Sequence, residues 1–286
     1  MAIHYRRYRV GGRMRSFEPF PKPKCFRSTY TDFMRRLRIA NRAARAAASA
    51  MIRATKNWLK SRLYERIGVS FNPFGVPFSL AKHLQNGRPV FLIDVGAHGG
   101  GFTRSIDRFC GVKRGLLVEA QPDRASALAS LFRTDRFEVK NCAVCDRAGE
   151  IELEINEFDV TTSMLRTRRE MPELGGVNVQ LKTKVRCKTA RLDDLVSTET
   201  FPRIDLLKLD VQGAEHLVIK GAPESLRRTN MVWTEVSFVR LYEDSSLFHE
   251  IHALLREKGF ALVEFEQGFR SPTGEVLQAD ALFIRT

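Results

Sequence analysis

Long apolar runs are missing from this 286-residue chain. The longest stretch free of charge, Ile67–Ala81, has 15 residues and is interrupted by Gly68, Pro73, Gly75 and Pro77. A helix that crosses a bilayer needs about 20 apolar residues, so a membrane span is not expected. The basic start leads to no apolar core of the kind that opens a secretory leader, and export by that route is not expected either. Cysteine is scarce: five residues, an odd number at irregular spacing. That pattern argues against a disulfide framework and for free thiols in a reducing compartment, the cytoplasm. Cys142 and Cys145 form a single C-x-x-C with no second pair to complete a zinc site. They read as buried thiols at a strand end.

Acidic residues are nearly absent from the first quarter of the chain. Residues 1–70 hold 18 lysines and arginines against Glu18, Asp32 and Glu65, while the remainder has 29 basic and 30 acidic residues. The net charge of +14 therefore belongs to an N-terminal arm attached to a neutral body. Residues 1–30 are rich in arginine, proline and aromatics without periodicity. From about Thr31 to Ile67 an alanine-rich run sets Met51, Thr55, Trp58, Leu59, Leu63 and Ile67 near one face, the spacing of an amphipathic helix that Gly68 would end. Such a helix can pack on the body with its basic side in water, or rest on an anionic membrane surface. A nucleic acid or a partner protein are the remaining options. The Pro/Gly stretch Phe71–Pro77 reads as a linker, which predicts an arm at 1–68 and one domain at 69–286.

Beyond the linker, strand and helix patterns alternate. Val90–Val95, Gly115–Glu119, Phe137–Ala143, Ile204–Asp210 and Met231–Phe238 read as core strands, with Ala261–Phe265 and Ala281–Ile284 closing the sheet. Helices are expected over Phe102–Cys110, Pro122–Phe132, Ala214–Lys220 and Leu247–Lys258. Ile151–Asn156 and Val177–Lys188 read as extended pieces either side of a polar, arginine-rich loop, Phe158–Gly176. This alternation predicts an α/β fold with a doubly wound, mostly parallel sheet.

The run VFLIDVGAHGGG, Val90 to Gly101, is a buried strand that ends in an acid and a glycine cluster. Strand, glycine turn and helix open a nucleotide-type α/β unit. A dinucleotide fingerprint G-x-G-x-x-G would need glycine at position 98, which is His98, and this disfavours a nicotinamide-dependent oxidoreductase. Asp94, two residues before the first glycine, is instead the acid that S-adenosylmethionine sites favour. Asp94 and the turn residues Gly96, Ala97, His98 and Gly99 are the first candidate cofactor contacts. Glu119, at the end of the next strand, can accept both hydroxyls of a ribose. Asn141 and Ala143 leave the third strand where an adenine edge would lie, and Asp146 follows as a further candidate contact to its exocyclic amine. A second constellation, Lys208, Asp210 and Glu215, joins Glu235 at the ends of the fourth and fifth strands. Converging ionisable groups there suit a general base, a clamp on an acceptor hydroxyl, or a divalent ion. A structural Lys208–Asp210 ion pair is the alternative.

The segments DVGAHGGGFT (94–103), VEAQPDRASAL (118–128), NCAVCDRAGEIEL (141–153) and IDLLKLDVQGAEHLVIKGA (204–222) together resemble the FkbM-type S-adenosylmethionine-dependent methyltransferases. ARLDDLV (190–196) and Thr162-Ser163-Met164-Leu165 fit the same pattern, and the resemblance covers roughly residues 90–265. It implies a Rossmann-like, seven-stranded fold and methylation of a hydroxyl on a sugar, glycan or related metabolite. His98 stands where the family more often has Asn, and Gln212 where it more often has Glu. The second departure removes an acid beside the presumed site. The rival class is a non-catalytic protein with a vestigial methyltransferase fold, docked on membrane or nucleic acid.

Overall fold

The computed structural model describes residues 74–286, apart from 86, 157–162, 167, 169, 172–176, 179–180 and 267. The arm at 1–68, the helix expected at Thr31–Ile67, and Thr162 of the mid-chain motif lie outside the described residues. Every residue of Val90–Val95 (β1) is buried, as a near-continuous apolar run requires of a central parallel strand. Its side chains alternate: Phe91, Ile93 and Val95 enter one core, while Val90 and Leu92 enter another on the opposite face. Val112–Glu119 (β2) and Phe137–Asn141 (β3) continue the sheet outward on one side of β1.

The third strand stops two residues before the sequence pattern suggests. Ala143–Val144 (β4) leaves the main sheet for a smaller one with Gly149–Asn156 (β5) and Leu181–Ala190 (β8). The expected single strand Val177–Lys188 is also divided. Glu170–Met171 (β6), inside the anticipated polar loop, pairs with Val177–Asn178 (β7), and β8 begins afresh at Leu181. Leu153, Ala143 and Cys187 form the core of the small sheet, with Ala120 and Met164 packed against it. That contact seats the small sheet at the carboxyl end of β2.

Ile204–Leu209 (β9) pairs in parallel with the other side of β1, and Thr229–Ser237 (β10) pairs in parallel with β9. Phe260–Glu266 (β11) and Gln278–Arg285 (β12) complete the order β11-β12-β10-β9-β1-β2-β3. Only β12 runs antiparallel to its neighbours. Helices Gly101–Phe109 and Pro122–Leu131 pack through Ile106 and Leu128 on one face. Helices Glu215–Lys220 and Phe248–Glu257 pack through Val218, Ile251 and Leu255 on the other. The fold is thus a doubly wound, Rossmann-like α/β sheet of seven strands. Chain order reverses between β1 and β9, and the crevice beyond the carboxyl ends of such a pair is where open α/β sheets take ligands.

Candidate active site

Strand parity brings the ionisable residues together. Asp94 and Lys208 are register partners across β1 and β9, and Glu235 and Asp280 are partners across β10 and β12. Asp94 is fully buried and Lys208 is 7% exposed. The Lys208 ammonium lies 3.1 Å from Asp94 Oδ1, 3.3 Å from Asp210 Oδ2 and 3.0 Å from the Gly96 carbonyl oxygen, to which it donates. Thr103 Oγ1 donates to Asp94 Oδ2 at 2.7 Å, and the Phe102 ring lies 5.6 Å from Nζ. Burial opposes the charge on Lys208, but Asp94 and then Asp210 outweigh it and hold the ammonium above the ordinary lysine range.

The glycine turn is built to let two strand ends touch. Gly96 has φ +77°, and a Cβ there would lie 1.9 Å from the Asp210 carbonyl oxygen, a position that only glycine can occupy. His98 follows at φ 48°, a left-handed conformation in which His and Asn are enriched among residues with a side chain. Its N–H donates to Glu119 Oε2 at 2.7 Å, and the Gln121 N–H donates to Oε1 at 2.9 Å. Glu119 therefore ties the turn to the end of β2. Burial, followed by the Arg124 charge, lowers the His98 pKa from its ordinary value. Asn141 donates from Nδ2 to the carbonyl oxygens of Glu119 and Ala120, at 2.9 and 3.0 Å. It braces the backbone beside Glu119 and is not among the cavity-lining residues.

On the other side of the crevice side chains meet one another as well as backbone. Gln212 Nε2 donates to Asp210 Oδ1 at 3.0 Å and to Glu235 Oε2 at 3.4 Å. Gln278 Nε2 donates to the same Glu235 oxygen at 2.8 Å. Tyr242 OH donates to Gln212 Oε1 at 2.8 Å, and Ser163 Oγ donates to the Gln212 carbonyl oxygen at 2.7 Å. Burial and then the Asp210 charge push Glu235 well above the carboxylate range. The same two causes raise Asp280 to about 6. Glu215 turns inward: its Oε1 accepts from the N–H groups of Val211 and Gly213, at 2.9 and 3.3 Å, and burial pushes it up to about 7. It closes the turn after β9 and does not line the cavity.

A cavity of about 440 Å³ opens between these halves, within the size range of small-molecule sites. Gly96, Ala97, His98, Gly99 and Glu119 line one part of it; Lys208, Asp210 and Gln212 line another. Ala143, Leu153, Ser163 and Met164 bring the small sheet and its loop to the wall. Asp94 and Glu235 are not among its lining residues; they contact lining residues, Asp94 through Lys208 and Glu235 through Gln212. Cys142 also lines the cavity, and burial raises its thiol to about 11. Cys145, the second thiol of the C-x-x-C pair, is also buried. Among the described residues no three His, Cys, Asp or Glu side chains converge to hold a metal ion. Ser163, Tyr242, Gln278 and Asp280 are the participants that the strand-end pattern misses. Ser163 alone carries an earlier signal, its place in the mid-chain motif.

The family model of the methyltransferase FkbM domain matches residues 94–262, which is more than half of the chain. The 2-O-methyltransferase NoeI of Sinorhizobium fredii (strain NBRC 101917 / NGR234) is 32% identical over 206 residues, covering 68% of this chain and 80% of that protein. The crystal structure of methyltransferase FkbM from Methylobacillus flagellatus KT aligns with a TM-score of 0.47 at 13% identity, over 74% of this chain and 48% of that one. The chain thus spans about half the length of that structure. The magnesium protoporphyrin IX methyltransferase ChlM from Synechocystis PCC 6803, solved with bound SAM, aligns with a TM-score of 0.40 at 10% identity, over 73% of this chain and 77% of that one.

Proposed function

We propose, on the premise that this chain belongs to the FkbM methyltransferase family, that it transfers the methyl group of S-adenosylmethionine to a hydroxyl oxygen of a sugar, glycan or related metabolite. Methyl transfer follows from the family itself, which sets aside the oxidoreductase alternative; a vestigial, non-catalytic domain would fail to bind S-adenosylmethionine. The carrying observation is the cavity at the β1–β9 reversal, with the glycine turn and Glu119 on one side and Asp210 on the other. The residues fit the cofactor. Val95, Val118, Val144 and Leu153 give apolar walls for a flat base, and the buried Glu119 carboxylate suits ribose hydroxyls. A hydroxyl acceptor is supported by the relative named as a 2-O-methyltransferase.

S-Adenosylmethionine, when bound, supplies an electrophilic methyl carbon on a sulfonium. The chain has two tasks left: to align an oxygen with that carbon, and to accept a proton late in transfer. Asp210, with 39% of its side chain exposed, is the carboxylate on the cavity wall that can orient the hydroxyl and take its proton. Lys208, held as an ammonium, cannot be the base. It fixes Asp94 and Asp210. Glu235 acts through Gln212, and Glu215 holds the turn that presents Asp210. This assignment uses no metal.

The test is incubation of the purified chain with methyl-labelled S-adenosylmethionine and a panel of methyl glycosides of hexoses and 6-deoxyhexoses, followed by mass spectrometry of the products. A mass gain of one methyl on a ring hydroxyl supports the reading. With methyl glycosides of 2-amino-2-deoxyhexoses added to the panel, methylation of the amine alone refutes the hydroxyl assignment, and calorimetric binding of NAD in place of S-adenosylmethionine refutes the cofactor.

We assign the arm, residues 1–68, to localisation at the inner face of a membrane rather than to chemistry. No charge-free run in the sequence exceeds 15 residues, short of the roughly 20 that a spanning helix needs, and we take the contact to be peripheral. A handful of basic residues near an anionic surface, at about 1 kcal/mol each, gives useful affinity. A chain beginning at Val69 should keep cofactor binding and lose salt-sensitive binding to anionic vesicles. Salt-sensitive binding to RNA and not to vesicles would transfer the arm to a nucleic-acid partner.

A further inference from the structure

We propose that Gln212 is a positioning residue that keeps Asp210 and Glu235 apart as two differently employed carboxylates, through a carboxamide whose orientation is set by Tyr242. The inference rests on the reading of Asp210 as the carboxylate that meets the acceptor. A carboxamide has one accepting and one donating end, and Tyr242 decides which end faces where. Its hydroxyl donates to Gln212 Oε1, which turns both Nε2 hydrogens toward Asp210 Oδ1 and Glu235 Oε2. The backbone is fixed as firmly: Gln212 stands at φ 55° beside Gly213 at φ 92°, and Ser163 caps its carbonyl oxygen. Strain of this kind persists only where the surroundings enforce it. Asp210 Oδ2 faces the Lys208 ammonium, so both oxygens of Asp210 have a fixed donor and the carboxylate is held against the cavity wall.

The charges around this amide explain why a donor is needed there. Asp210, Glu215 and Asp280 all face Glu235 through space, Tyr242 stands beyond Gln212, and Lys208 is the cation set against them. A glutamate at 212 would add a carboxylate where the structure places a bridge. Protonated, that glutamate could still donate one hydrogen bond; ionised, it could donate none. Charge and bridge are therefore linked at this position in a way that packing is not.

Three variants separate the roles. Gln212→Ala removes both bonds without adding charge, and its loss of thermal stability should be the same at pH 5 and pH 8. Gln212→Glu should melt roughly 4–8 °C below the native chain at pH 8 and recover at least half of that gap at pH 5. Tyr242→Phe frees the amide to rotate. With the methyl glycoside that the native chain methylates fastest, kcat should fall at least tenfold while the KM for S-adenosylmethionine stays within twofold. The proposal is overturned if Gln212→Glu loses as much at pH 5 as at pH 8, or if Tyr242→Phe and Gln212→Ala leave kcat unchanged. Should Gln212→Glu fail to fold at either pH, the kcat of the other two variants decides. Should the native chain methylate no glycoside, the acceptor reading fails by itself, and the pH comparison of Gln212→Glu with Gln212→Ala still judges the role of Gln212.

Discussion

The two halves of the cavity are held by different kinds of hydrogen bond. Around β1 and β2 the polar side chains grip backbone: Glu119 accepts from the N–H groups of His98 and Gln121, and Asn141 braces two carbonyl oxygens. Around β9, β10 and β12 polar side chains also grip one another, through Gln212, Gln278, Tyr242 and Lys208, beside Glu215, which grips backbone. Backbone donors are placed by the fold and cost little to keep aimed. Side-chain donors must each be ordered, and here Gln212 and Gln278 serve Glu235, a carboxylate that burial and then the Asp210 charge push upward. The first half is suited to holding a ligand unchanged and the second to moving a proton.

Lys208 belongs to both halves, so its removal should be the most damaging single change. It joins Asp94 and the Gly96 carbonyl oxygen on β1 to Asp210 after β9. Lys208→Met keeps the length of the chain and leaves a fully buried Asp94 without its cation. Breaking a buried pair in this way costs about 3–5 kcal/mol, to be read by urea denaturation. A loss under about 1 kcal/mol, the scale of an exposed pair, would mean that water reaches Asp94 and that the halves are not coupled through the lysine.

The next largest effect is confined to the second half. Asp210→Asn keeps shape and removes the charge on the cavity wall. Turnover should fall on the order of 100-fold or more while affinity for S-adenosylmethionine holds. Equal losses in both would place Asp210 with the cofactor and dissolve the distinction between the halves.

The first half was legible in the sequence because its logic is local. An apolar run, an acid, a glycine turn and an acid at the next strand end all lie within 94–119, and period-two parity carries each to its place. The five core strands and both closing strands were legible for the same reason. What the pattern missed depends on register between distant segments. Glu235 meets Asp280 only because β10 and β12 pair antiparallel at those residues, and the amide between Asp210 and Glu235 is aimed by Tyr242, 30 positions from Gln212. The reading of Val177–Lys188 as one strand failed for a related reason. Its alternation suits a strand throughout, but β7 and β8 have different partners, and alternation does not reveal partners. Glu215 was anticipated at a helix start, yet its carboxylate serves Val211 and Gly213 behind it, a direction that spacing leaves open.

Glu119→Ala tests the backbone-held half from its own side. The variant removes a carboxylate that grips two N–H groups and lines the cavity. Affinity for S-adenosylmethionine should weaken by about 1.5–3 kcal/mol, the scale of a lost charged hydrogen bond, as read by calorimetry. Turnover at saturating cofactor should change far less than in Asp210→Asn. An unchanged affinity would remove Glu119 from the ligand and leave it as a brace for the turn.

The smallest effect is a slope. Burial raises Glu215 to about 7 and Asp280 to about 6, and it raises Glu235 as well, so the folded chain binds protons that the unfolded chain has already released. Below the ordinary carboxylate range both states are protonated and these groups contribute nothing to the balance. As pH rises through about 4.5 the unfolded state ionises first, folding takes up protons, and stability falls with pH until Asp280 and Glu215 titrate in the folded chain near 6 and 7. Above that window the cost of Asp280 and Glu215 is constant. Glu215→Gln keeps an oxygen for the Val211 and Gly213 N–H groups and removes the titration, so stability between pH 5 and 7 should fall less steeply, by about 1–2 kcal/mol over the window. Denaturant midpoints at half-unit steps of pH would resolve it. An identical slope in the variant would show that Glu215 is ionised in the folded chain, with the N–H donors of its turn outweighing burial. Backbone donors, and not burial, would then set the charge of that carboxylate.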